Sequence, residues 1–296
     1  MPEISAERWM ALEGEARRAL AAHPVTQPLA DARFTVEAGG LSNHAWRVDG
    51  AEASCFVRLS PPDSARLGVD RRSECRLLAR VAEAGLAPTV VRCDPERRLL
   101  VTRHLTGGAL GHEAIHERAL IESVAAALRT LHALSVPAEV QSVDFAAQAI
   151  SLERQCASWR PSDEVLRIKA DFAFRVLARS GRRPTLCHND LHHLNLVRAE
   201  GRLWLVDWEY GGVGDPIYDF ASFLCQHDCS AQEREWLSAA YGSTAFAAGQ
   251  LEAACWAFDY VQWLWYRAYP GSGPADPLYT ARAEALERRL HAGAPA

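Results

Sequence analysis

Three side chains at fixed spacing constrain this chain more than any other feature of it. The segment His188-Asn189-Asp190-Leu191-His192-His193-Leu194-Asn195 reads H-x-D-x-x-x-x-N. Asp207 follows twelve residues after Asn195, within Leu205-Val206-Asp207-Trp208-Glu209. An aspartate, an asparagine five residues on and a second aspartate beyond a short hairpin make a phosphoryl-transfer set. Asp190 orients an attacking hydroxyl and takes its proton, while Asn195 and Asp207 hold Mg2+ against a triphosphate. The hairpin is legible: Leu194 to Val197 as one strand, Glu200-Gly201 as the turn, Leu203 to Val206 as the return. Such a ribbon brings Asn195 and Asp207 to one end.

A competing reading takes Cys187, His188, His192 and His193 as zinc ligands. Closed zinc sites favour paired spacings, and no second pair follows here. Zinc also leaves Asp190, Asn195 and Asp207 unexplained. His188 reads better as a structural residue whose ring holds the backbone of the loop.

About half the residues are apolar, which suffices for a real core, and the net charge is −5. That balance carries no nucleic-acid footprint. No apolar run reaches the ~20 residues of a membrane span, and the mixed-charge start does not read as a signal peptide. Eight scattered cysteines read as reduced thiols of a cytoplasmic protein, with Cys225 and Cys229 on one helix face. Lys169 is the only lysine. A G-x-x-x-x-G-K-[ST] phosphate loop is therefore excluded. The strand lysine that protein kinases set on the phosphates must be replaced by arginine.

Along the chain, an amphipathic helix is expected from Ser5 to about Ala22. Strands follow at Phe34 to Glu37, Ala45 to Val48 and Cys55 to Leu59, then a helix from Arg71 to Glu83. Two more strands, Thr89 to Cys93 and Leu99 to Thr102, flank the turn Asp94-Pro95-Glu96-Arg97, and Thr106-Gly107-Gly108 reads as a flexible joint. Beyond it the periodicity is helical: Glu113 to Ala133, Phe145 to Ser158, Asp163 to Arg179, Tyr218 to His227, Ala231 to Tyr241, Thr244 to Tyr269 and Ala275 to His291.

Asn189 stands where protein kinases have the arginine of H-R-D, and Glu209 where they have the glycine of D-F-G. In this the segment resembles the kinase-like phosphotransferases of small hydroxyl compounds: choline, ethanolamine and thiamine kinases and aminoglycoside phosphotransferases. Gly211-Gly212-Val213-Gly214-Asp215-Pro216-Ile217-Tyr218-Asp219 resembles the bacterial choline and thiamine kinase branch. The likeness runs from roughly Phe34 to the last long helix. It implies an α+β, two-lobed protein-kinase-like fold. A small antiparallel-sheet N-lobe with a leading helix would span 1–105, and a larger, mainly helical C-lobe 106–296. ATP would lie in the cleft with Mg2+, and no nucleic acid or membrane would be a partner.

The resemblance also distributes roles. Gly39-Gly40-Leu41-Ser42-Asn43 is an ordinary hairpin turn by itself, but G-G-L-[ST]-N resembles the nucleotide loop of choline and thiamine kinases. Gly40, Ser42 and Asn43 then become phosphate-loop residues. Arg58 falls where the phosphate-contacting base is expected, with Glu74 paired to it. Backbone around His104 and Leu105 would take the adenine. Asp215 caps the following helix ahead of Pro216, and Asp219 ties back to the catalytic loop. For the acceptor, Glu209 would face a cation. Trp256, Tyr260 and Trp263, at i, i+4 and i+7, make either a cation–π wall or a core stripe. An aminoglycoside phosphotransferase is the enzymatic alternative; a catalytically silent nucleotide-binding regulator would have lost Asp190, Asn195 or Asp207.

Overall fold

The computed structural model describes residues 5–37, 43–242, 246–269 and 277–293. Two compact units emerge. The first comprises Met1–Leu110, Pro137–Val140 and Leu194–Glu209; the second comprises Gly111–Val136, Gln141–His193 and Tyr210–Ala296.

In the first unit, α1 (Ala6–Ala21) starts where the Ser5 hydroxyl accepts the Arg8 N–H. It lays Ala16 and Leu20 on a five-stranded antiparallel sheet. The strands are β1 (Arg33–Val36), β2 (His44–Asp49), β3 (Ser54–Leu59), β4 (Val90–Asp94) and β5 (Leu99–Arg103), in the order β1-β2-β3-β5-β4. Trp46, Val48, Val57, Leu59 and Val101 are fully buried beneath α1. Each such side chain contributes about 1.5–3 kcal/mol. The helix α2 (Arg71–Glu83) begins at Asp70, whose carboxylate accepts the N–H groups of Arg72 and Ser73. Leu77, Leu78 and Val81 face inward.

Two expectations fail here. Cys75 on α2 and Cys93 on β4, with Cα atoms 5.6 Å apart, form a disulfide, so not every cysteine is a reduced thiol. The joint at residues 106–108 is not loose either. β6 (Gly108–Ala109) pairs with β8 (Leu196–Ala199), which pairs with β9 (Arg202–Leu205). A Cβ on Gly107 would lie 2.4 Å from the Arg198 carbonyl oxygen, so only glycine permits this crossing.

The β8–β9 hairpin turns through Glu200 (φ 55°) and Gly201 (φ 73°). Two consecutive positive φ values match the twist of a tight hairpin. Its first strand starts later than expected, because His193–Asn195 forms a 3-10 turn. Leu205 donates its N–H to the Leu86 carbonyl, and Leu110 donates to Leu196. These bonds, with the β6–β8 pairing, fasten the hairpin to the first unit. The expected division at residue 105 is therefore replaced by a discontinuous one.

The second unit is mainly helical: α3 (Arg118–Ala133), α4 (Phe145–Glu153), α5 (Pro161–Ala178), α6 (Ile217–Gln226), α7 (Ala231–Tyr241), α8 (Ala248–Ala268) and α9 (Pro277–Ala292). Extended backbone at Glu117 separates α3 from a 3-10 helix, His112–His116, where one continuous helix was expected. α8 packs against α4, α5, α6 and α9. Beside the helices lie β7 (Thr185–Cys187) and β10 (Gly212–Gly214), paired antiparallel. Residues 141–143 cross β10 so closely that a Cβ on Gly212 would meet the Gln141 carbonyl at 2.7 Å. Cys225 ends inside α6, whereas Cys229 lies beyond it, so the two do not share one helix. Among the described residues no helix is long and apolar enough to cross a membrane.

Candidate active site

The metal end of the hairpin is built by register. Leu196 pairs with Leu205, and Val206 donates its N–H to the Asn195 carbonyl at 3.0 Å. Asn195 and Asp207 thus leave the ribbon at the same end, as its geometry requires. Asn195 is buried, while the Asp207 side chain is 29% exposed. Asp207 holds φ 59°, a left-handed conformation uncommon outside glycine that marks backbone held by its surroundings.

A charged network surrounds Asp207. Arg58 donates from Nη1 to Asp207 Oδ1 at 2.8 Å and from Nη2 to Glu74 Oε2 at 2.7 Å. Arg71 donates to the same Glu74 oxygen at 2.8 Å, to Glu209 Oε2 at 2.9 Å and to Asn43 Oδ1 at 3.2 Å. Asn43 closes the ring by donating from Nδ2 to Glu209 Oε2 at 2.8 Å. The Arg58–Glu74 pair expected from the sequence exists and is buried. Burial alone would lower the Arg58 pKa, but Glu74 and Asp207 outweigh it and raise it. Burial would raise Glu74, yet Arg58 and Arg71 hold it below the ordinary glutamate range.

Arg71 is the residue sequence reasoning missed, although it was in view one turn before Glu74. Glu209 is only 3% exposed. Arg71 pairs with it, where the sequence led us to expect an acceptor cation. Three carboxylates, Glu74, Asp207 and Glu209, meet two guanidiniums, Arg58 and Arg71. The hard oxygens and the surplus negative charge suit Mg2+. The Nε atoms of Arg58 and Arg71 are buried donors without a partner, which suits phosphate oxygens.

Of the other nucleotide-site candidates, Gly40 and Ser42 lie outside the described residues. His104 donates its backbone N–H to the Ser54 carbonyl, and its ring meets Glu37 at 3.1 Å. That N–H is therefore spent within the sheet, not available to a base. The Leu105 side chain joins Val197, Ala199, Trp204 and Val206 in a small apolar cluster.

In the second unit, Asp190 sits on a loop pinned from below. Asp219, fully buried, accepts the His188 N–H at 3.0 Å and the Asn189 N–H at 2.6 Å through Oδ1, and meets His132 Nε2 at 2.9 Å through Oδ2. Asn189 tolerates φ 66°, and its side chain donates to the Tyr210 carbonyl. His188 Nδ1 accepts the Asp190 N–H at 3.4 Å. Gln226, at the end of α6, donates to Asp190 Oδ1 at 3.2 Å. Asp215 accepts the Ile217 N–H and a two-pronged contact from Arg182. His188, Asp215 and Asp219 thus perform the scaffold roles read for them. Lys169 donates to the Gly293 carbonyl.

The expected aromatic wall divides. Trp256, Tyr260 and Trp263 are buried: Trp256 donates to the Leu290 carbonyl, Tyr260 donates to Glu153, and Arg267 covers Trp263 at 4.5 Å. Their i, i+4, i+7 stripe is core, and among the described residues Arg267 is the cation set over it. A second set lies on another face of α8. Trp265 donates to the Tyr210 hydroxyl at 3.1 Å, stacks on Tyr269 at 5.0 Å and meets Tyr279 edge-on at 6.0 Å. Tyr210 and Tyr269 are partly exposed.

A model of the phosphotransferase enzyme family matches residues 33–266. The protein LicA of Haemophilus influenzae is 26% identical over 210 residues, which are 69% of this chain and 61% of LicA. The matched part thus spans about three fifths of that relative's length. The choline kinase LicA from Streptococcus pneumoniae superposes with a TM-score of 0.81 at 19% identity, over 96% of this chain and 100% of that one. A choline/ethanolamine kinase family protein from Mesorhizobium loti gives 0.76 at 22%, over 94% and 93%. These two likenesses show the two-lobed α+β fold.

Proposed function

Because this chain belongs to the phosphotransferase enzyme family, we propose that it is an ATP- and Mg2+-dependent kinase acting on the hydroxyl of a small cationic metabolite of the choline, ethanolamine or thiamine kind. The observation that carries this is the hairpin end, where Asn195 and Asp207 emerge together with Arg58 on the aspartate. A positioned pair of hard-oxygen ligands beside a buried guanidinium is what a nucleotide triphosphate and its metal require.

When bound, Mg2+ offsets charge on the phosphoryl oxygens. Arg58, in place of a strand lysine, offers a fork of donors to phosphate, and Glu74 with Arg71 keeps that fork oriented. Asp190 takes the proton of the acceptor hydroxyl. Its loop is fixed by Asp219 and its carboxylate by Gln226, so little reorganisation accompanies proton transfer. The acceptor cation rests on the partly exposed Tyr210 and Tyr269, with Trp265 and Tyr279 packed behind them, since Trp256, Tyr260 and Trp263 are enclosed. The names of the relatives point to the same substrate class. A need for ATP supports a cytoplasmic location, and the Cys75–Cys93 disulfide is unusual for that compartment.

An acceptor panel tests the reading. Choline, ethanolamine, thiamine, an aminoglycoside and a neutral sugar are each incubated with Mg-ATP, and ADP release is read above background hydrolysis. One of the first three should stimulate release. Stimulation by the aminoglycoside alone selects the other branch of the family, and stimulation by the sugar alone removes charge as the basis of recognition.

A further inference from the structure

Outside the residues used above, the second unit gathers four imidazoles from three elements. His112 and His116 come from the 3-10 helix His112–His116, His193 from the loop after Asp190, and His227 from the residue that closes α6. The His112 ring centroid lies 5.4 Å from His116, 5.5 Å from His193 and 5.8 Å from His227, and the His193–His227 distance is 5.9 Å. A tetrahedral ion with nitrogen ligands at about 2.0–2.1 Å sets its ring centroids roughly 5 Å apart. The triangle His112, His193, His227 is slightly wider than that.

Two of these rings have one nitrogen held by an oxygen, as metal-ligating histidines do. His227 is fully buried, its Nδ1 directed at the Phe223 carbonyl at 2.7 Å, and its Nε2 has no hydrogen-bond partner. His116 Nδ1 meets Glu233 Oε1 at 2.6 Å. A carbonyl or carboxylate on one ring nitrogen fixes the tautomer and leaves the other nitrogen as the donor to a metal. His193 Nδ1 is likewise buried without a partner. His112 is exposed and gives the site an entry path.

We propose that His112, His193 and His227, with His116 beside them, bind one divalent first-row transition-metal ion of the zinc kind. A turn of the His112 and His193 rings about χ2, a soft torsion, re-aims their nitrogens, and small χ1 changes narrow the triangle. Occupancy would tie the loop three residues beyond Asp190 to the end of α6. Among the described residues, the group whose ligand atoms already lie within 4.8 Å of one another is a different one, His132, Cys187 and Asp219. It is committed elsewhere: Asp219 to two backbone N–H groups, His132 to Asp219 and Tyr241, and Cys187 to the Gly214 carbonyl.

The test is a Co2+ titration of the full chain without a histidine tag, after stripping with EDTA. The expected result is a visible ligand-field band that saturates at one equivalent and is displaced by Zn2+. His112→Ala, at an exposed ring, and His193→Ala should each weaken Co2+ binding by at least the 10–100-fold that lost second-shell partners cost. Circular dichroism of both variants is compared with the parent. The proposal is overturned if the parent gives no saturable band, or if both variants titrate like the parent. It is also overturned if Cys187→Ser abolishes the band while His112→Ala keeps it, since the ion would then occupy the buried His132 group.

Discussion

Arg71→Ala is the perturbation the charge network makes most informative. Arg71 is 11% exposed and donates to Glu74, Glu209 and Asn43. Removing one partner of a buried ion pair costs about 3–5 kcal/mol, chiefly because a buried charge is left uncompensated. Glu74 keeps Arg58, and Glu209 keeps the Asn43 amide and the nearby charge of Arg58, so the loss should fall near the low end, about 3 kcal/mol. The two units need not unfold together, and native-state hydrogen exchange of α2 and β9 amides reads the first unit by itself. A loss of that size accelerates exchange roughly 150-fold. The double variant Arg71→Ala, Glu209→Gln removes the carboxylate charge that Arg71 balances, so its cost should fall short of the sum of the singles by about 0.5–3 kcal/mol. Acceleration below about fivefold, or strict additivity, would refute the reasoning.

Four further outcomes are expected. Asp207→Ala should remove Mg2+-dependent ATP binding and turnover together, checked by calorimetry with and without the ion; overlapping Mg2+ titrations of variant and parent would show that Asp207 is no ligand. Tyr269→Leu should raise the acceptor KM several-fold and leave the ATP KM alone, given roughly 0.5–2 kcal/mol per cation–π contact. Trp263→Leu should instead lower Tm with both KM values unchanged, so the reverse pattern restores the enclosed stripe as the acceptor wall. Burial lowers the His227 pKa to about 4, below the about 6.5 of an unfolded histidine. The unfolded chain then takes up the proton first. In EDTA, stability should fall as pH drops from about 6.5 to about 4, by about 3 kcal/mol, and then level off for this group. A His227→Gln variant with the same slope in urea unfolding would remove this residue as the cause.

Much of the fold was legible because local signals agreed with tertiary demands. α2 and α7 start and stop where capping and periodicity place them, since Asp70 and Ser230 satisfy the first N–H groups. The Asn195–Asp207 arrangement was legible because a tight hairpin fixes register. What was hidden depends on side chains meeting across long separations. Nothing local tells that Glu209 is buried against Arg71, 138 residues away, or that Cys75 reaches Cys93. That Trp256, Tyr260 and Trp263 are buried was not legible, because α8 is aromatic on several faces. Trp265 and Tyr269 are as periodic as Trp256 and Tyr260, and only packing against α4, α5, α6 and α9 decides which rings are enclosed. The histidine cluster was split among three elements, so its sequence signal was two adjacent residues, His192 and His193.

The central claim, transfer of a phosphoryl group to an alcohol with Asp190 as base, is tested most directly by phosphorus NMR of the parent and Asp190→Asn in parallel. With Mg-ATP and the stimulating acceptor, the parent should produce ADP and one new phosphomonoester resonance in equal amounts. Asp190→Asn should slow that ester about 10²–10⁴-fold with the ATP affinity nearly intact. Inorganic phosphate as the sole product of the parent, or ester formation by Asp190→Asn at the parental rate, would contradict the account.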